Sequence, residues 1–512
     1  MSDDKRLKIG YNTFARLFGC GKGPMFGPLE QSGGIDFLFV HFDPQTVPVS
    51  ESKAEAAAVA REIANRGTEF IANFEFQNFQ YLTKAPDGTE WSNRPDGTHR
   101  LILPEGYVDA LASAGNLAGL TYDEFEHCII NNNLSIYLDK NVRKVVPVFP
   151  VPDTADFETQ RDTLNGQIKE FADSIRAAGA PAFSGEHVFP ALFHMFARNG
   201  IVPNFKSQKE GWSNIHFAVA AGAALQYGMP LWNCVDLWHI QTFPGHSASE
   251  MFYNLVFAYK AGVNRTYVEA ANAFYDGDEY NEYGRTFSQF VKLYRGRERD
   301  YDISDYEPEI AVIKPDDGYW GQGRLNIMWK DSLLGNRAIK SKKEDREFID
   351  AFRIITHGET VLTGISWDKI SPWTIAVKHR SFCTMNGAAV FDEYVRRDKL
   401  GTAKLIFLCG RTLSAETLAD VRSVCAENGT VVVCPSRFAP ADILADARSV
   451  KMHASYSEVR VGRGSYIVTD NLKAPDLASR LSEYLGRKGE IKLKFAGKTV
   501  RMKISDNGNR ID

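Results

Sequence analysis

No run of about 18 apolar residues occurs in this 512-residue chain, so no transmembrane helix is expected. An excess of one charge is also missing. Lys and Arg number 60 against 64 Asp and Glu, a formal net charge of −4. Such a balance argues against a general nucleic-acid binder. Cysteine is sparse: Cys20, Cys128, Cys234, Cys383, Cys409, Cys425 and Cys434 form no CxxC pair. That excludes a zinc ribbon or a disulfide framework and suits reduced, buried thiols. The opening MSDDKRLKIGYNTF lacks the apolar middle of a secretory signal, so a cytoplasmic location is expected. No HExxH is present, and the first strand-like run carries Tyr11-Asn12-Thr13 in place of an HxH pair.

What is there is a rhythm. A chain of this length predicts two or three domains. Eight short apolar runs, each ending in polar residues, fall within the first 275 residues. They are KIGYNTF (8–14), IDFLFVHFD (35–43), EFIANFEF (69–76), LAGLTYDE (117–124), PAFSGE (181–186), GIVPNFK (200–206), MPLWNCVD (229–236) and NRTYVEA (264–270). Runs apolar nearly throughout are expected of parallel strands buried on both faces. Helical segments separate most of them: 52–67, 165–179, 188–200, 212–228, 247–262 and 282–296, most ending in Gly. Glycine supplies the left-handed cap that stops a helix, and Ser247 with Glu250 resembles a capping box. The pattern predicts a (β/α)8 barrel over residues 1–300. Two long excursions, 77–105 and 128–160, leave from strand ends, where insertions commonly build a substrate cleft.

A charged stretch, RERDYDISDYEPE (297–309), suits a linker. Strand-like EIAVIKP (309–315), ETVLTGIS (359–366), AKLIFLCG (403–410) and TVVVCP (430–435) then alternate with helices at 342–358, 414–429 and 474–486. This predicts a smaller, Rossmann-like α/β domain over 305–486, with an open and mostly parallel sheet. No glycine-rich phosphate loop follows its first strand, so a nucleotide site is weakly supported. The last residues, 487–512, alternate about a glycine turn and predict a hairpin.

Barrel, charged connector, α/β domain and terminal β element together resemble the family 42 β-galactosidases. The local match is best in AKLIFLCGRTLSAETLADVRSVCAENGTVVVCP (403–435), a strand, a helix and a glycine-bounded strand. The resemblance implies a barrel glycosidase whose amidotransferase-like second domain helps build a homo-oligomer, a dimer or trimer. The active-site pattern departs from that of the larger clan of barrel glycosidases. There the strand-four acid normally follows Asn, whereas Asp123 stands before Glu124 here. The clan's nucleophile is a Glu after strand seven, whereas Asp236 stands here. A distinct glycosidase family of similar architecture is therefore expected.

Cleaving a glycosidic bond needs a protonated carboxyl for the leaving oxygen and a carboxylate that attacks or activates water. Glu124 is the candidate acid, with Asp236 or Glu269 as nucleophile or base. Asp123, Glu126, His127, Glu186, His187, Lys206, Trp238 and His239 are the candidate sugar-binding residues, all near the carboxyl ends of barrel strands. Each has a plainer reading as helix cap, salt-bridge partner or core residue. A lysine inside an apolar run must meet a carboxylate or a ligand, so Lys206 is expected to pair with Glu124 or Asp236. With Arg16 and Lys209 it would instead bind an anionic sugar. Trp212, Trp232 and Tyr122 suit core packing better than sugar stacking. No cofactor or metal is expected. Two other readings stand beside glycoside hydrolysis. Histidines 127, 187, 239 and 246 near strand ends would also suit a metal-dependent barrel hydrolase or sugar isomerase. A carbohydrate-binding protein that has lost its chemistry is the third.

Overall fold

The computed structural model describes residues 5–18, 34–42, 49–75, 102–125, 129, 149–187, 190–207, 211–237, 246–276, 279–320, 332–360, 380–445 and 450–512. The eight apolar runs become β1 (Lys8–Phe14), β2 (Phe37–His41), β3 (Glu69–Asn73), β4 (Leu117–Asp123), β5 (Phe183–His187), β6 (Val202–Ser207), β7 (Trp232–Asp236) and β8 (Arg265–Glu269). Each strand pairs in parallel with the next, and β8 returns to β1 to close a barrel.

The two-residue pleat decides which side chains face the axis. In β4, Tyr122 points outward into an aromatic cluster with Phe74, Phe125, Phe171 and Phe183. Its neighbour Asp123 points inward, to Lys206. The lower interior is filled by Phe37, Phe39, Ile71, Val202, Trp232, Cys234 and Tyr267. The Phe39 and Tyr267 rings stack there at 4.1 Å. The barrel is thus plugged with apolar side chains below its mouth, and Lys8, Glu69 and Arg265 pair at its amino-terminal end. Trp232 belongs to this interior and Tyr122 to the outer cluster, both core packing as their plainer reading has it.

The outer helices follow local signals. The helix expected from 165 starts at Phe157, because Asp156 accepts the Thr159 N–H as an N-cap. Ser247 and Glu250 form the expected capping box on Ala248–Lys260. Gly228 caps Ser213–Tyr227 with φ 65°. A short helix, Tyr107–Ala112, follows the first excursion and went unforeseen. Residues 77–101 and 130–148 of the two excursions lie outside the described residues.

The second sheet runs 388–391, 310–313, 405–408, 431–434, 464–468, 457–461, 450–452. Its first five strands are parallel and the last two antiparallel. Of the strand expected at 359–366, residues 361–366 lie outside the described ones. The terminal hairpin, Glu490–Phe495 and Lys498–Ser505, turns at Gly497 with φ 75°. Residues 385–386 and 510–511 widen it to four strands. The charged stretch after 297 is not a loose tether. Arg299 is buried and donates to the carbonyls of Lys5, Tyr259 and Val263, and Tyr301 packs on Phe495.

The barrel abuts the second sheet through helix 213–227. Gly222 faces strand 388–391 so closely that a Cβ there would lie 1.6 Å from the Val390 carbonyl oxygen. Beside it, His194 Nε2 donates to Val390 O at 2.7 Å. Arg198 bridges Asp316 and Asp392 at 3.0 Å each, and Arg161 pairs with Glu393 at 3.3 Å. The five described cysteines are buried free thiols. No helix among the described residues is long and apolar enough to cross a membrane.

Candidate active site at the barrel mouth

Each barrel strand breaks from apolar to polar at its carboxyl end, and the inward-facing polar residues form a ring. Lys206, the penultimate residue of β6, stands at its centre. Its ammonium lies 2.8 Å from Glu269 (β8), 3.2 Å from Asp236 (β7), 3.2 Å from Asp123 (β4) and 3.3 Å from Glu186 (β5). These five residues are sequestered: the most exposed, Glu269, shows 8% of its surface, and Asp123 and Glu186 show none. An unpaired lysine could not be held at such a place. The expected pairing with Asp236 is present, and three further carboxylates join it.

Around this centre lies a second set of contacts. Tyr267 accepts from Asn204 Nδ2 at 3.1 Å and donates to Glu186. Cys234 Sγ lies 3.3 Å from Glu269. On the opposite wall, His41 Nδ1 faces Glu75 at 3.1 Å. Asn12 accepts the Ala271 N–H through Oδ1, so its amide nitrogen points at His41 Nε2, 3.2 Å away. Asn73 is oriented alike, because its Oδ1 accepts the backbone N–H of Glu75 and Asp123. Both ring nitrogens of His41 are therefore engaged.

Four carboxylates around one cation cannot titrate alike. Burial, then the charge of Lys206 and Glu269, acts on Glu186, and the balance raises its carboxyl to about 8. Burial together with Glu186 and Glu269 pushes Asp123 well above the ordinary range. Burial also opposes ionisation of Glu269, but Lys206 and His41 outweigh it and hold its carboxyl at about 2. Lys206 is itself raised, because its acidic neighbours outweigh its burial. The ring thus divides into neutral acids on β4 and β5 and an ionised carboxylate on β8. Such a division is what acid–base chemistry requires of paired carboxyls.

The structure brings together Asp123, Glu186, Lys206, Asp236 and Glu269 of the residues expected at the site. Glu124 follows β4 directly and is half-buried, with a left-handed backbone of φ 54°. That conformation strains a residue with a Cβ and is concentrated at functional positions. His187 ends β5. Glu126, His127, Trp238, His239 and Lys209 lie outside the described residues. Arg16 sits 5.0 Å over the Phe14 ring. His246 is buried, with Nε2 at 2.9 Å from the Ser207 carbonyl. Asn12, His41, Asn73, Glu75, Cys234 and Tyr267 were not foreseen. Their signal was parity: each is polar where the alternation of its run points inward.

Among the described residues, two sets have metal-ligand chemistry: His41, Glu75 and Glu269, and Glu186, Cys234 and Glu269. The ligand atoms of each lie within 4.8 Å of one another.

No family model and no curated protein sequence matches this chain. Solved structures do. A β-galactosidase from the psychrophilic Marinomonas ef1 superposes with a TM-score of 0.55 at 10% identity, covering 97% of this chain and 95% of the other. A β-galactosidase from Bacillus circulans sp. alkalophilus gives 0.56 at 8% identity, over 98% and 93%. The exo-β-1,4-mannosidase Op5Man5 from Opitutaceae bacterium strain TAV5 gives 0.50 at 10% identity, over 93% of each chain. The likeness is one of fold. It spans barrel and second sheet together without a likeness in sequence, as expected of a distinct family.

Proposed function

We propose that this chain is a glycoside hydrolase acting by carboxylate acid–base chemistry at the carboxyl face of its barrel. One observation carries the reading: acidic side chains from β4, β5, β7 and β8 meet one ammonium there, and their acidities divide. The fold shared with two β-galactosidases and a mannosidase supports it.

Glu269, ionised and the least buried of the ring, serves as nucleophile or base, with Asp236 beside it on the neighbouring strand. Glu124 serves as proton donor. It is half-buried at the carboxyl end of β4, whereas Asp123 and Glu186 are wholly enclosed. Glu126, His127, His187, Trp238 and His239 are proposed to orient the sugar. The second domain is proposed to support a homo-oligomer, which light scattering would size.

A panel of aryl glycosides tests this. At least one should be cleaved, and Glu124→Gln or Glu269→Gln should cut kcat about 1,000-fold while folding and sugar binding persist. Normal turnover in Glu124→Gln removes that residue from the mechanism. Sugar binding without cleavage of any glycoside would instead mark a carbohydrate-binding protein.

A further inference from the structure

Lys206 is doing something other than touching substrate. An ammonium has three N–H bonds. Here they are directed to Glu269 at 2.8 Å, Asp236 at 3.2 Å and the Asp123 carboxyl, whose Oδ1 and Oδ2 lie at 3.2 and 3.5 Å, with Glu186 at 3.3 Å as a fourth contact. No donor is left over for a sugar hydroxyl. The residue acts through the carboxylates it gathers, so it is a positioning residue.

The point it occupies has the character of a metal site. Oxygens from four separate strands converge on it, and a thiol stands nearby. The ligand atoms of Glu186, Cys234 and Glu269 are already within 4.8 Å of one another. A divalent ion binding oxygen at roughly 2.1–2.4 Å would need each carboxylate to close in by about 1 Å or less. Charge permits the exchange. With Asp123 and Glu186 held neutral, the ammonium faces Glu269 as its ionised partner, and a doubly charged ion would take up the charge of the carboxylates whose protons it displaces.

We propose that the Lys206 ammonium is a tethered substitute for a metal ion, and that the ring of Asp123, Glu186, Asp236 and Glu269 binds a divalent cation once that side chain is shortened. The oxygen-rich donor set favours a hard ion such as Mn²⁺. In the native protein the site is closed to metals because it carries its own cation. The other candidate set, His41, Glu75 and Glu269, shares Glu269 with the ring, and its His41 nitrogens face Asn12 and Glu75.

The probe is Mn²⁺ alone, added to the full chain and followed by calorimetry and by the spin-resonance signal of free Mn²⁺. Lys206→Ala should bind one Mn²⁺ per chain at least about 100-fold more tightly than the native protein. Adding Glu269→Gln should abolish that binding. Lys206→Leu, neutral but space-filling, should not acquire it. If Lys206→Ala is too unstable to titrate, its melting temperature should rise with Mn²⁺ by several degrees while that of Lys206→Leu does not. Equal Mn²⁺ affinity in Lys206→Ala and native protein, or no selective thermal rise, overturns the proposal. So does a native protein that binds one Mn²⁺ through Glu269. This readout is independent of turnover, so it can fail while the hydrolase reading stands, and the reverse.

Discussion

Lys206 and its four acidic partners illustrate how one side chain sets the state of others. Glu186 and Glu269 both touch the same ammonium, yet their carboxyls move in opposite directions. Their effects on stability must therefore oppose each other as well. For Glu186, raised from 4.5 to about 8, the fold prefers the protonated form. Its contribution is complete below about pH 4.5 and is lost as pH rises through about 8. For Glu269, lowered from 4.5 to about 2, the contribution is present above pH 4.5 and is lost as pH falls towards 2. The melting temperature should consequently fall on both sides of a mildly acidic maximum. Glu186→Gln should lessen the alkaline fall, whose remainder comes from Asp123, while leaving the acid side in place. An alkaline fall unchanged in size in that variant would show that Glu186 ionises freely in the folded protein.

Helix 213–227 shows packing overruling propensity. Alanine is favoured over glycine inside a helix by about 1 kcal/mol. At Gly222, however, the added methyl would meet the Val390 carbonyl at 1.6 Å, a distance no rotamer relieves. Gly222→Ala should therefore destabilise the chain by about 2 kcal/mol or more in denaturant titrations, with helix and strand forced apart. Ser247→Ala tests an ordinary local effect by contrast. It removes the side chain that accepts the Glu250 N–H and should cost about 1 kcal/mol by the same measurement.

The joint between barrel and second sheet is ionic as well as packed. Arg198 sits between Asp316 and Asp392, both buried, and Tyr227 and Gln226 also donate to Asp392. Arg198→Met would leave two enclosed carboxylates without their cation. A loss of about 3–5 kcal/mol is expected, and calorimetry should show barrel and sheet melting less cooperatively. A single unchanged transition would mean that the apolar contact around Gly222 holds the two parts together by itself.

Much of this architecture can be read from residue order alone. Apolar runs of strand length, separated by glycine-stopped helices, leave few ways to bury both faces of a parallel sheet, and closure into a barrel is one. The acidic strand ends are legible for the same reason. Asp123, Glu186, Lys206, Asp236 and Glu269 are visible as abrupt polarity at the close of apolar runs. Their convergence on one ammonium is not legible, because it depends on the stagger between strands far apart in the chain. Asn12, His41, Asn73 and Tyr267 escaped notice because a polar residue inside a buried strand looks like a tolerated exception until its inward direction is known. Local pattern specified the elements, since periodicity and caps act over a few residues. Barrel closure alone decided which carboxyls share a cation, and hence which are neutral, since burial and charge act through space.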